Sequence, residues 1–538
     1  MQSLIFMSSW VAISFVVYKI VNSVFTSRRH ARAARELDCK LPDTLQCRDP
    51  IGIENVLNLL KADKECRFPQ FVKGRADTHR AREGRPVTTF RRKILGSMNF
   101  HTVDPENVRA ILATQFKDFG LGESRNSNFF PLLGNGIFST DGEEWQHSRA
   151  LLRPQFARDQ ISDLEYEERH VGNLMWVIPA AEDSWTGAFD IMPLFFRLTL
   201  DSATGFLFGQ SVDVQLAALL GHTSSHQPLP VSEADFAFSF DKAKEIIAKG
   251  SRLGDKYWLV HGKELKEHCR RCHVFIDHYV QRALNQEKLS TVKTASGKEK
   301  YTFLDALAET TQDPIQLRSQ LLSILLAGRD TTASLLSYVF MVLTQHPRVY
   351  AKLRTTITEE FGTYKQPKNL TFASLKSCTY LQWALNETLR LYPIVPINVR
   401  HALRDTTLPR GGGPDGKSPI YIRKGQSIDY SYYTIHRRKD LWGDDADDFK
   451  PERWKGRKSS WDYLPFNGGP RICIGQQFAL TQAGYVVVRM LQKYDAIEGV
   501  GNSWEEKEMG GVGYVRHRCA LTSCPADGVR VRMREAED

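Results

Sequence analysis

The stretch from Asp313 to Pro347 constrains this chain more than any other. Asp313-Pro314 is a helix cap with proline in the first turn, and His346-Pro347 is a stop. Between them "IQLRSQLLSILLAGRDTTASLLSYVFMVLTQ" is apolar over much of its surface. A helix of about thirty residues of this kind has to be covered nearly all round, so it runs through the middle of a large domain. The chain has the material for that. Its 538 residues are 42% hydrophobic and 25% charged, values that exclude wholesale disorder and a polytopic membrane protein.

A second helix is predicted for "YLQWALNETLRLY" from Tyr380, ending before Pro393. "INVRHA", "IYI" and "SIDYSYYT" read as strands, separated by the turn-rich "PRGGGPDGKSP". Most of the remainder is helical in pattern, so the expected fold is mainly α with small β-sheets. No repeat and no Ser, Gly or Gln tract marks an internal domain boundary. The expected division is an N-terminal transmembrane anchor at 1–27, a basic linker at 28–50 and a single catalytic domain at 51–538.

The anchor is read from "LIFMSSWVAISFVVYKIVNSVF", Leu4 to Phe25, long enough to span a bilayer despite Lys19. Arg28, Arg29, Arg32 and Arg35 follow it and no Lys or Arg precedes it, which puts the C-terminal bulk in the cytosol. The net charge of +10 is dispersed and carries no nucleic-acid-binding signature, so an anionic membrane face or an acidic protein fits better than nucleic acid. Nine irregularly spaced cysteines do not form the framework of a small secreted domain, and a cytosolic chain keeps them reduced.

Four short motifs carry chemistry, and each also has an ordinary reading. In "FNGGPRICIG", Gly468, Gly469 and Gly475 flank Cys473 where the backbone must turn sharply or approach a partner, and Arg471 adds a fixed cation. That suits a thiolate bound to iron; a lone cysteine in a turn is more often simply buried. Glu387 and Arg390 are i, i+3 neighbours, worth only about 0.2–0.5 kcal/mol as a surface pair. Gly328 in "LLAGRDTT" costs about 1 kcal/mol against alanine in a helix, which asks for a close ligand, and Asp330 and Thr331 set a carboxylate and a hydroxyl beside it. Those threonines could equally bond back to the preceding turn. Trp145 and Arg149 are i, i+4 on a predicted helix and could be a packed surface pair.

Taken together, these motifs resemble the cytochrome P450 superfamily. F-x-x-G-x-R-x-C-x-G is matched at Phe466, Gly469, Arg471, Cys473 and Gly475, and the others follow in the family's order from Trp145 onward. The resemblance implies a haem-thiolate monooxygenase with Cys473 as axial ligand of haem b. It implies that Glu387, Arg390 and Arg453 of "FKPERW" brace the haem loop, and that Asp330 and Thr331 deliver protons. Trp145, Arg149, Arg400 and Arg471 are implied contacts of the haem propionates, with His147 and His401 as helpers. Electrons would come from NADPH through a separate cytochrome reductase, and the chain would sit as a single-pass protein of the endoplasmic reticulum membrane.

Leu322, Leu325, Leu326, Ile394, Val395 and Ile397, with the loop from Phe116 to Leu133, are the expected walls of a hydrophobic substrate pocket. "NGIFSTDGEEWQHSRALLRPQFA" and "FNGGPRICIGQQFALTQ" are most similar to fungal members that hydroxylate n-alkanes and fatty acids at the chain end. Tailoring of a polyketide or other secondary metabolite is the alternative, and a non-catalytic haem-binding protein a further one.

Three string matches point elsewhere. "HCRRCH", 268 to 273, contains C-x-x-C-H and could bind haem c or zinc, but falls in a charged helical stretch. "GGGPDGKS", Gly411 to Ser418, matches a phosphate loop, yet a proline and a strand follow where a helix is needed. Asn369 and Asn386 lie in N-x-T triplets that a cytosolic domain leaves unglycosylated.

Overall fold

The computed structural model describes residues 2–84, 87–157, 164–179, 181–219, 230–285, 302–458, 460–502 and 515–537. The helices used below are α1 (Gln2–Glu36), α2 (Gly142–Leu152), α3 (Glu165–Val177), α4 (Met192–Phe208), α5 (Val214–Ala217), α6 (Glu233–Leu253), α7 (Lys263–Leu284), α8 (Pro314–Gln345), α9 (Thr379–Leu391) and α10 (Gln476–Lys493). The chain divides into two compact units: Met1–Ile53 with Arg75–Gly120 and Val399–Tyr430, and Glu54–Gly74 with Leu121–Asn398 and Ser431–Asp538.

The larger unit is built round α8. Asp313 accepts the Ile315 amide at 2.9 Å and Pro314 occupies the first turn, so the helix starts where its cap predicts and continues for 32 residues. Its C-terminal half packs into the main core, where Leu336, Val339, Phe340 and Leu343 meet Leu381 and Leu385 of α9 and Val486, Val487 and Met490 of α10. Alongside runs α4, whose Thr199 hydroxyl donates to the Arg329 carbonyl at 2.8 Å and whose Phe195 ring lies 5.2 Å from Phe340. Burying apolar surface round all sides of one helix supplies most of the unit's stability, at about 25 cal/mol per Å². Two short strands near the C-terminus, His517–Cys519 and Ser523–Pro525, form an antiparallel hairpin fastened to α8 through Tyr338, whose hydroxyl lies 2.8 Å from His517 Nδ1 and 2.9 Å from Ser523 Oγ.

The smaller unit carries a six-stranded sheet. Its strands, in chain order, are β1 (Asp43–Thr44), β2 (Thr89–Ile94), β3 (Ser97–Thr102), β4 (Phe119–Gly120), β5 (Ile397–Ala402) and, after a separate β6 (Thr406–Gly412) and β7 (Ser418–Ile422) pair, β8 (Ser427–Ser431); their order in the sheet is β1-β2-β3-β8-β5-β4. All three segments read as strands are strands, although the last ends at Ser431 because Tyr432–Ile435 turns into a helix capped by the Ser431 hydroxyl. The glycine-rich segment is the turn between β6 and antiparallel β7. No helix starts after it, so its amides do not form a phosphate cradle.

The N-terminal anchor expected at 1–27 is not confirmed. One helix, α1, runs 35 residues through both the expected anchor and the start of the basic segment. Among the described residues, no helix is both long and apolar enough to cross a membrane. Its 35 residues reach about 50 Å.

Candidate functional site

Everything described in this section except Val399, Arg400 and His401 belongs to the larger unit. Cys473 lies in a loop that its neighbours hold open. Its amide donates to the Phe466 carbonyl at 3.0 Å, and a tight turn closes between the Ile472 amide and the Gly469 carbonyl, also at 3.0 Å. Gly469 sits at φ +66, a left-handed conformation that favours glycine, and a Cβ on Gly468 would come within 2.9 Å of the Trp461 ring. Asn467, at φ +65, stabilises the bend by accepting the Tyr432 hydroxyl at 2.8 Å and the Gly468 amide at 2.9 Å.

Cys473 is exposed as a residue, yet burial within the fold pushes its thiol up from its ordinary value, while the Gly475 amide and the Arg149 charge pull it back. A hydrogen-bonded amide and a nearby guanidinium favour the thiolate, the form that binds metal.

Cations converge beside this loop. Arg149, on α2, donates to the Ile472 carbonyl at 3.0 Å. Arg471 donates to the Thr140 carbonyl at 3.1 Å and to Asp141 Oδ1 at 2.6 Å. Both guanidiniums stand over the ring of Trp145, at 5.8 and 4.3 Å from its centroid. The structure thus brings together Trp145, Arg149, Arg471 and Cys473 as one cluster. Arg400 is buried on β5 of the smaller unit, with Nη1 donating to the Val399 carbonyl at 2.8 Å; His147 is exposed and His401 half-buried.

Haem fits these residues. An exposed cysteine whose thiol is set inside the fold, a loop whose glycines keep the backbone close, and two guanidiniums beside it match an iron ligand and the anionic edge of a porphyrin. Across α8, the run from Leu321 to Leu343 is buried except for Ala327, Gly328 and Thr331. Those three share one face, and small residues with accessible surface on an otherwise buried helix mark a space beside it. A Cβ added to Gly328 would touch Ala203 at 3.7 Å, an ordinary contact, so the glycine is not there to avoid the protein. Thr331 Oγ1 donates to the Ala327 carbonyl at 2.5 Å. Leu322 and Leu325 have no accessible surface and pack inside the core, and Leu326 and Ile394 are buried, while Val395 and Ile397 are half-buried.

Asp330 does not share the Thr331 face. Its carboxylate is buried in an ion cluster, paired with Lys244 of α6 and 3.3 Å from Arg329 Nη1. Asp241 completes the cluster, 2.8 Å from Lys244 and bridged by Arg329 at 2.6 and 3.0 Å. The two cations hold the Asp241 carboxyl well below the usual carboxylate range against the opposing effect of burial.

Glu387 and Arg390 form no surface pair: both are 0% exposed. Arg390 meets the carboxylate through two bonds of 2.8 and 2.9 Å, and Arg453 Nε, the Trp454 indole and the Lys450 amide add bonds of 3.2, 3.1 and 3.0 Å. The remaining guanidinium donors reach the carbonyls of His436, Ala446 and Asp448, and Arg453 also binds Asp445. Every charge in the group is matched, which makes a buried ion network tolerable.

His436 is the residue that sequence reasoning missed. Its Nε2 accepts the Leu464 amide at 3.0 Å, so Nδ1 carries the proton and donates to the Arg390 carbonyl at 3.1 Å. This ring ties the ion network to the residue two positions before Phe466. Burial first, then Arg390 and Arg437, push its pKa from 6.5 down to about 3. The neutral ring is therefore worth its full stabilisation above about pH 6.5, and that is lost as pH falls toward 3, at about 1.4 kcal/mol per pH unit. Denaturant unfolding between pH 7 and pH 5 is expected to show a shallower loss in His436→Phe than in the wild type; an unchanged slope would contradict the assignment. His517, also held near 3, contributes the slope that remains.

The string matches resolve by burial. Cys269 and Cys272 face the interior of α7, burial pushes the Cys269 thiol up to about 12, and His273 donates to the Leu132 carbonyl at 3.0 Å, so the segment is packing and not a metal centre. Asn386 is half-buried and its Oδ1 accepts the Tyr463 hydroxyl at 3.1 Å.

Comparison with known proteins agrees with this geometry. The family model described as Cytochrome P450 matches residues 73–516. Cytochrome P450 monooxygenase g430 of Fusarium sp is 51% identical over 528 residues, 97% of this chain and 89% of the relative. Cytochrome P450 monooxygenase alt2 of Alternaria solani is 43% identical over 91% of this chain and 92% of the relative, and Cytochrome P450 52A5 of Candida maltosa is 50% identical over 74% of each. With the cysteine loop, the buried Glu387–Arg390–Arg453 network and this extent of identity all in agreement, the chain belongs to the cytochrome P450 family of haem-thiolate oxidoreductases.

Proposed function

We propose that this chain is a monooxygenase that hydroxylates an alkyl or fatty-acyl chain at or near its end. The observation that carries the reading is Cys473, an exposed residue in a glycine-bent loop with the Gly475 amide and Arg149 beside its sulfur. Haem bound there supplies dioxygen activation and insertion of one oxygen atom into a C–H bond, using two electrons from NADPH passed on by a separate reductase. Cys473 would hold the iron, with the Gly475 amide and the Arg149 charge favouring the thiolate against the effect of burial. Trp145, Arg149 and Arg471 orient the porphyrin's carboxylates, with Arg400 a further candidate.

Thr331 faces the space beside α8 and Asp330 lies next to it in sequence, tethered to Lys244. Thr331 Oγ1 positions a proton inside the site, and Asp330 resupplies it when its carboxylate leaves the ion cluster. Ala327 and Gly328 leave room for a narrow chain, with Val395 and Ile397 supplying apolar wall. The resemblance of the segments round Trp145 and Cys473 to fungal alkane and fatty-acid hydroxylases supports an aliphatic substrate, and tailoring of a secondary metabolite is the second reading.

The test is incubation of the membrane-expressed protein with a reductase, NADPH and a medium-chain fatty acid, with products identified by mass spectrometry. A terminal alcohol or diacid supports the lipid reading. Background NADPH consumption with no oxidised fatty acid, in protein with an intact haem-thiolate spectrum, moves the substrate to secondary metabolism. We place the catalytic domain on the cytosolic face of the endoplasmic reticulum membrane with α1 as its attachment, and retention of the protein in membranes at alkaline pH, lost on deleting residues 1–36, checks that placement.

A further inference from the structure

A second polar cluster lies in the larger unit, away from the residues assigned to haem and substrate. His170 on α3, Asp201 on α4 and Asp213, just before α5, offer one ligand atom each, all within 4.8 Å of one another. The first two are buried, at 1% and 0% exposure, and Asp213 is half-buried. Burying a carboxylate is costly unless it is paired or hydrogen-bonded. Asp201 accepts the Val214 and Gln215 amides at 2.7 and 3.0 Å.

The surroundings are shaped for a fixed position. The Tyr166 ring packs edge-on against His170 with centroids 4.5 Å apart, and holds the imidazole to one orientation. Gln215, whose amide is bonded to Asp201, is itself 1% exposed and buries both atoms of its side-chain amide with no hydrogen-bond partner. A native fold leaves few such groups, and each calls for a missing ion, water or ligand. On the open side, Arg169 reaches Asp213 at 3.4 Å from a side chain that is 56% exposed, a contact that can be exchanged with little loss.

We propose that His170, Asp201 and Asp213 bind a divalent transition-metal ion, Zn²⁺ in particular, which pins α3 and α4 to the turn entering α5. One imidazole nitrogen and two carboxylate oxygens suit that ion, with water completing a tetrahedral shell. Ligand atoms of such a shell stand about 3.3 Å apart for bonds of about 2.0 Å, so the three groups close by an ångström or so, most of it from the half-buried Asp213. The sequence carries no spacing motif for this site, since its ligands come from three separate segments, whereas the literal metal motif in α7 is occupied by packing.

The experiment uses the full-length holoenzyme, equilibrated with Zn²⁺, passed through a desalting column and measured for zinc and haem content. About one zinc per chain is expected in the wild type, with a roughly tenfold lower content in His170→Ala and in Asp213→Asn at unchanged haem content. Asp213→Asn preserves side-chain shape and guards against a variant that fails to fold. Zinc should also raise the thermal midpoint of the wild type in a concentration-dependent way, and leave that of Asp213→Asn unmoved. Zinc content indistinguishable between wild type and both variants, or absent from all three, overturns the proposal and leaves Asp201 as a cap for α5 alone.

Discussion

Glu387→Ala is expected to leave almost no folded, haem-containing protein. The carboxylate neutralises Arg390 and Arg453 in a volume that excludes water, and it also accepts the Trp454 indole and the Lys450 amide. Removing one partner of a buried pair costs about 3–5 kcal/mol, because the other charge stays buried without compensation. Here Arg390 is stranded, Arg453 keeps only Asp445, and two neutral donors lose their acceptor. Against a total stability of about 5–15 kcal/mol, that loss unfolds the domain or the part of it that presents Cys473. Glu387→Gln, which keeps an acceptor and removes the charge, is expected to fall between the two, and denaturant midpoints measure all three. A Glu387→Ala midpoint close to wild type would mean that the network is not what braces the loop.

Asp330→Asn should behave in the opposite way, keeping the fold and losing turnover. Asparagine preserves side-chain shape, and Lys244 retains Asp241 at 2.8 Å, so the cation is not left alone. What disappears is a carboxylate able to take up and release a proton next to Thr331, a contribution of about 10²- to 10⁴-fold to rate. The expected result is a fall in kcat of about 100-fold or more, with haem content and substrate affinity near wild type. Turnover within about twofold of wild type would confine Asp330 to an ion cluster linking α6 and α8.

These two residues also mark the limits of what the sequence discloses. The caps of α8 and the end of α9 are local chemistry, so Asp313-Pro314 and His346-Pro347 placed the central helix correctly. That Glu387 and Arg390 are buried is not local: i, i+3 spacing is the same on a surface helix, and only the carbonyls of His436, Ala446 and Asp448 complete the site. His436 leaves no pattern at all, because its two bonds join segments 28 and 46 residues away.

The open face of α8 was misplaced for a related reason. A helix that is apolar on most sides does not announce which side is open, and the leucines chosen for size, Leu322 and Leu325, are the ones most completely packed. The small residues Ala327 and Gly328 were the better guide. Asn467 was readable, since Asn-Gly before a cysteine loop favours a left-handed turn.

The most direct measurement is the carbon monoxide difference spectrum of the reduced protein, recorded for the wild type and for Cys473→Ala. The wild type should give the red-shifted Soret band of thiolate-ligated haem, and the variant should lose that band, whether or not it retains pigment. A wild-type spectrum without the shifted band, or a variant that keeps it, would contradict Cys473 as the iron ligand and with it the reading of the whole site.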